Sequence, residues 1–238
     1  MGDILEQATE KDTTLDREWF SGREYSPGTD YIKYFNDFTR DTDYAAADWV
    51  ITTVEFAGGD ATEALTNLEG GALLITNHTR DDDSDSFQQA GAGAALEAFK
   101  LQKDKKLWYE TRIQTNDATQ TDIFVGLCIV DTTPLVASDR CGFQKDDGVT
   151  TIRCLTEKNS AETSKDSGKD LANDTYVKLA MRWDGVKTID FFVDRVKVRS
   201  VDTDIPNDEE LSLTMMIQNG AAAAKTMTID YIYCVQER

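Results

Sequence analysis

Between Glu97 and Asp147 the chain carries two long alternating segments, LWYETRIQ and TDIFVGLCIVD, each closed by a polar turn. In the first, Leu107, Tyr109 and Ile113 share one face while Glu110, Arg112 and Gln114 share the other. A period of two with one polar side predicts a strand whose outer face is wet. In the second, both faces are apolar: Ile123, Val125, Leu127 and Ile129 on one, Phe124, Cys128 and Val130 on the other. That pattern predicts a strand covered on both sides, at the centre of a layered β protein.

The same alternation recurs along the chain. YIKYFNDF, DWVITTVEF, GGALLIT, SDSFQQ, LEAFKL, VTTIRCLT, TYVKLAMRWDG, VKTIDFFVD, VKVRSV, LSLTMMIQNG and KTMTIDYIYCVQ read as strands separated by polar turns. The spacing predicts roughly a dozen strands, as in an antiparallel sandwich. Asp184-Gly185 marks a hairpin turn and Asp146-Asp147-Gly148 a tight turn. Residues 157–174 read as a polar loop or weak hairpin, and only residues 3–10 and 91–99 look helical. In the last strand, Met227, Ile229, Tyr231, Tyr233 and Val235 share one phase and are expected inside. Trp183 shares the inward phase with Met181.

Only three prolines occur, Pro27, Pro134 and Pro206, and no Pro/Gly/Ser linker divides the 238 residues. One domain is therefore expected over residues 31–238, preceded by an arm over residues 1–30. The arm is polar without sustained periodicity, but Trp19, Phe20 and Tyr25 punctuate it as aromatic anchors for assembly.

Acidic residues outnumber basic ones by 44 to 25, a formal charge of −19. Such a chain lacks the basic face that phosphate binding needs, which excludes nucleic acid as a direct partner and disfavours anionic membranes. The cysteines, Cys128, Cys141, Cys154 and Cys234, show no CxxC spacing, so a zinc site is not expected and free thiols are. The first residues, MGDILEQATEKD, contain no apolar segment of signal-peptide type. No run of the sequence is apolar enough to span a bilayer.

The order LWYETRIQ, TDIFVGLCIVDTT, CGFQKDDG, LAMRWDG…IDFFVD and IDYIYCVQ resembles the concanavalin A-like lectin/glucanase superfamily. The carriers are Trp108-Tyr109-Glu110-Thr111-Arg112, the Gly126-bearing strand Phe124-Val125-Gly126-Leu127, and the hairpin Trp183-Asp184-Gly185 with Phe191-Phe192-Val193-Asp194. The resemblance spans residues 31–238 and implies an all-β, antiparallel β-sandwich of the jelly-roll type. FNDF and the GLCIVDTTPL…DRCGFQKDDG centre look most like lectin-like virion proteins of tailed bacteriophages. That implies a non-enzymatic structural protein, a capsid decoration or cement protein. It would be made in the host cytoplasm and reside in the virion, with capsid or other virion proteins and further copies of itself as partners. The alternative implied is a lectin-like carbohydrate-binding module on a phage tail or particle surface, with a surface glycan as ligand.

Superfamily glycosidases carry paired carboxylates on one strand in an ExDxxE or ExDxE arrangement, because acid and nucleophile must flank one glycosidic bond. No such motif is present, so no catalytic residue is expected; Glu110 and Arg112 read as a same-face ion pair. His78, the one histidine, follows an apolar strand and reads as a strand-end polar residue. Asp81, Asp83 and Asp85 form the one acidic loop from which alternate side chains could offer oxygens, and calcium is the cation such a loop would take. No other cofactor is expected. Trp108 shares its phase with charged residues and is the candidate for an exposed, sugar-stacking ring.

Overall fold

The computed structural model describes residues 31–40, 44, 48–56, 59–91 and 94–238. The proposed arm, with Trp19, Phe20 and Tyr25, lies outside them. Sixteen strands follow one another among the described residues: β1 (Tyr31–Asn36), β2 (Trp49–Val54), β3 (Thr62–Leu65), β4 (Leu73–Thr76), β5 (Ser84–Gly91), β6 (Ala94–Ala95), β7 (Leu107–Thr115), β8 (Thr121–Cys128), β9 (Arg140–Lys145), β10 (Thr151–Lys158), β11 (Ala161–Asp170), β12 (Val177–Trp183), β13 (Ile189–Val193), β14 (Val196–Val201), β15 (Ser212–Asn219) and β16 (Thr226–Glu237). A short 3-10 turn, Pro134–Val136, interrupts the β8–β9 connection.

They build two antiparallel sheets. Sheet A runs β14–β13–β12–β7–β16–β4–β3, with β1 also on β16; sheet B runs β11–β10–β9–β8–β15–β5–β2, with β6 on β5. Their inner faces meet in one continuous core that includes Leu107, Tyr109 and Ile113 of β7, Ile123, Val125 and Leu127 of β8, and Leu213, Met215 and Ile217 of β15. The doubly apolar β8 sits in the middle of sheet B, as its pattern demanded. Its second face is covered differently from expectation. Phe124 and Cys128 lie under Leu135 and Ala137 of the β8–β9 connection, with Leu155 and Met216 beside them.

Turn chemistry fixes the hairpins. Asp184 accepts backbone N–H bonds from Val186, Lys187 and Thr188 at 2.7, 2.8 and 3.0 Å, which closes the β12–β13 turn. The segment read as a loop at 157–174 is largely strand. Asn159 and Ser160, both at positive φ, join β10 to β11 in a two-residue turn. Its polarity misled because β11 is an edge strand with an exposed side. LEAFKL forms only an isolated bridge, Phe99 to Leu211, and the stretch from Ala94 to Phe99 holds no helix.

The last strand departs from its expected phase. A register shift between Ile229 and Tyr231, against β7, inserts one extra residue at Asp230. Such a bulge swaps the faces beyond it. Met227 and Ile229 point inward, but the inward residues then become Ile232 and Cys234. Tyr233 and Val235 instead join Trp108, Ala180 and Phe192 on the outer side of sheet A.

All four cysteines are free and buried. Burial pushes the Cys154 thiol up to about 12 and raises Cys128, Cys141 and Cys234 well above the ordinary thiol range, so none offers a thiolate near neutrality. The folded protein is expected to resist a thiol reagent at pH 8. After denaturation without reductant it should titrate four thiols; a count of two would show a disulfide in place of this arrangement.

Candidate functional site

Three short cross-strand rows make up the outer face of sheet B at β9–β11. Arg140, Glu157 and Glu162 align in one, Gly142, Leu155 and Ser164 in the next, and Gln144, Arg153 and Asp166 in the third. Strand alternation puts all of them on the face opposite the core, since Cys141, Phe143 and Cys154 point inward.

The base of this shelf is a buried ion network. The Arg140 side chain is 3% exposed. Its Nε donates to Glu157 Oε2 at 2.7 Å, Nη1 to Gln144 Oε1 at 2.7 Å, and Nη2 to Glu162 Oε2 at 3.2 Å. Nη1 also donates to the carbonyls of Pro134 and Leu135, so the same guanidinium pins the covering segment. A planar fork with five N–H groups is the one side chain able to serve all of these acceptors. The rim is more open. Arg153 donates to Asp146 at 2.7 Å and to Ser164 at 2.9 Å, and lies 3.4 Å from Glu162. Its Nε is buried and has no partner. Carboxylates, guanidinium groups and a hydroxyl thus alternate along these rows, buried at Arg140 and Glu157 and more open at Arg153 and Glu162.

Glu157 and Glu162 are direct cross-strand partners. Side chains in that relation stand about 4.5–5.5 Å apart at Cβ, and the single Arg140 guanidinium reaches both carboxylates; a pair of neighbouring carboxyl groups is what glycoside hydrolysis requires. The sequence search looked for paired carboxylates along one strand and missed a pair across two. The signal available was the alternation in TIRCLTEK and AETSK around a two-residue turn.

The residues singled out from sequence do not gather here. Trp108 is 1% exposed, packed against Ala180, Phe192 and Val235 on the far side of sheet A; its phase is outward, but it does not present the open ring expected. Glu110 and Arg112 share that face without pairing. Glu110 accepts from Tyr231 Oη at 2.5 Å and faces Lys178 at 3.2 Å, while Arg112 pairs with Asp230 at 2.6 Å and covers the Tyr176 ring at 4.1 Å. Flanking strands bring these partners nearer than residues two apart on one strand. The three aspartates separate. Asp81 is exposed; Asp83 is buried and accepts from the backbone N–H groups of Phe56 and Arg80, both at 2.9 Å; Asp85 turns between the sheets. Among the described residues no group of three His, Cys, Asp or Glu side chains could hold a metal ion. His78 lies beyond β4, with Nδ1 3.7 Å from Asp83 Oδ2.

No family model matches the chain, and no curated protein sequence does. Solved structures do. A protein of unknown function, SO2946 from Shewanella oneidensis MR-1, aligns with a TM-score of 0.61 at 14% identity, covering 93% of each chain. An endo-1,3-beta-glucanase from Streptomyces sioyaensis aligns with a TM-score of 0.58 at 14% identity, over 89% of this chain and 98% of that one. A prokaryotic beta-1,3-1,4-glucanase (lichenase) derived from a mouse hindgut metagenome aligns with a TM-score of 0.56 at 15% identity, over 84% and 97%. The two neighbours of known activity are enzymes, and neither is a particle protein. This overturns the expectation of a non-enzymatic capsid decoration protein of a tailed phage. At such identities the likeness carries the architecture alone: the chain has the antiparallel jelly-roll sandwich of the concanavalin A-like glucanases.

Proposed function

We propose that the chain is a glycan-active protein whose contact surface is the β9–β11 shelf, with Glu157 and Glu162 as the residues that act on a glycosidic bond. The observation that carries this reading is their direct opposition across β10 and β11, with Arg140 and Arg153 on either side. Both carboxylates meet Arg140; Glu157, the more buried, is assigned the attacking role, and Glu162, at the open rim where a substrate can displace its arginine contacts, the acid–base role. Arg153 and Ser164 supply hydrogen bonds to sugar hydroxyls.

The test is reducing-sugar release from a panel of β-glucans, run beside affinity electrophoresis in the same polysaccharides. Glu162→Gln is expected to lower turnover by 10²–10⁴-fold, the usual share of a general acid, while retardation in the gel persists. Arg153→Ala is expected to weaken retardation. A protein that neither releases sugar nor is retarded by any polysaccharide would sink the reading.

A further inference from the structure

Asp85 stands apart from the shelf, on the inner side of β5, and is 0% exposed. Its cross-strand neighbours are Thr53 on β2 and Ile217 on β15. Thr53 Oγ1 donates to Oδ1 at 2.8 Å, whereas Oδ2 has no hydrogen-bond donor. Beside it stands the carboxyl of Glu63, on β3, and Glu55, just past β2, adds a buried Oε1 that also lacks a donor. The position in the fold matters. β2 closes one edge of sheet B and β3 one edge of sheet A, so the Asp85–Glu63 contact bridges the two layers where the sandwich is open. The facing groups from the neighbouring elements are Thr53 and Glu55 from β2 and its end, Glu63 from β3, and the apolar Ile217 from β15. His78, in the turn after β4, has its Nδ1 3.7 Å from Asp83 Oδ2.

Two carboxylates without a cation cannot share a buried contact while both are ionised, because neither has a proton to donate and both lose solvation. We propose that Asp85 and Glu63 hold one proton between them and act as a proton-operated latch joining the open edges of the two sheets. With the proton present, one carboxyl donates O–H to the other and ties β3 to β5. With it gone, two negative charges and Glu55 push the edges apart.

Burial first, and then the Glu63 and Glu55 charges, raise Asp85 from an ordinary value of 3.8 to about 8. The sign follows. Between those values the folded chain binds more protons than the unfolded one, so the stabilisation is complete below about pH 4 and declines as pH rises through 8. Lys145 acts in the opposite sense: burial lowers it to about 8, so only the difference between variant and parent isolates the latch.

Amide hydrogen exchange and urea unfolding of the full chain, at pH 6 and pH 9, provide the test, on the parent, Asp85→Asn and Glu63→Gln. In the parent, protection of residues 49–56 and 62–65 is expected to fall up to about 100-fold more than elsewhere between pH 6 and pH 9, about tenfold for each pH unit below the midpoint near 8 and little beyond it. Asp85→Asn keeps the Thr53 bond and gives the pair a permanent N–H donor, so it should remove that excess loss; Glu63→Gln should do the same from the other side. An excess loss that persists in both variants would overturn the latch. So would recovery of the parent at pH 9 on adding calcium or magnesium, because a cation rather than a proton would then be the natural occupant.

Discussion

Leu127→Asp is expected to leave no folded protein at 25 °C. Leu127 is fully buried on the inner face of β8, between Cys141 of β9 and Leu213 of β15. The substitution removes a methyl-rich side chain worth about 1.5–3 kcal/mol of burial. It also places a carboxylate, with no donor in reach of the strand's inner face, in the driest part of the sandwich. Even as the neutral acid, an unpaired polar group there costs roughly 2–7 kcal/mol. The sum, about 3.5–10 kcal/mol, is comparable to the stability of about 5–15 kcal/mol typical of a whole domain. Circular dichroism and a urea titration check it, with Leu127→Met as the control expected to cost less than about 1.5 kcal/mol. A cooperative transition of near-parental midpoint in the aspartate variant would mean that β8 presents its other face to the core.

The second large effect is expected at Arg140. Its removal leaves Glu157 buried without a cation and leaves the carbonyls of Pro134 and Leu135 without a donor. Breaking a buried pair from one side typically costs about 3–5 kcal/mol, because the penalty is the stranded charge rather than the lost attraction. Arg140→Ala should therefore lose about that much in urea unfolding. Arg140→Lys should recover only part of it, since an ammonium cannot span the acceptors of a guanidinium fork. The informative variant is the double exchange Arg140→Met with Glu157→Leu. With no charge left stranded, it should be more stable than Arg140→Ala. If all three variants are equally destabilised, packing rather than charge is what Arg140 supplies.

Much of the sandwich could be read from alternation alone. β7, β8, β12 and β15 have inner faces so consistently apolar that only one phase is possible, and Asp184 with Gly185 announces its turn. What escaped reading depended on partners from distant parts of the chain. Nothing in IDYIYCVQ marks the extra residue at Asp230, because a bulge is defined by the register against β7. Glu110 and Arg112 look like a pair until Lys178, Tyr231 and Asp230 arrive from the strands on either side. Trp108 reads as exposed from the charges in its phase, yet Phe192 and Val235 converge on it from β13 and β16. The candidate site was hidden for the same reason. Its carboxylates belong to two strands, and the second strand was polar enough to pass for a loop.

β16 has a consequence for how the chain is made. This strand, at residues 226–237, lies in the middle of sheet A, hydrogen-bonded to β7 on one side and to β1 and β4 on the other. Its partners are synthesised long before it. Until it emerges from the ribosome, β7 lacks one neighbour and β1 and β4 have no shared partner to bring them together. A partly made chain thus carries open strand edges with apolar inner faces, a template for pairing with the wrong neighbour. Contacts spanning more than two hundred residues, as between Tyr31 and Glu237, also close slowly. Yield in a cell should accordingly depend on how well nascent chains are kept apart until β16 has emerged and paired, more than on the strength of the finished fold.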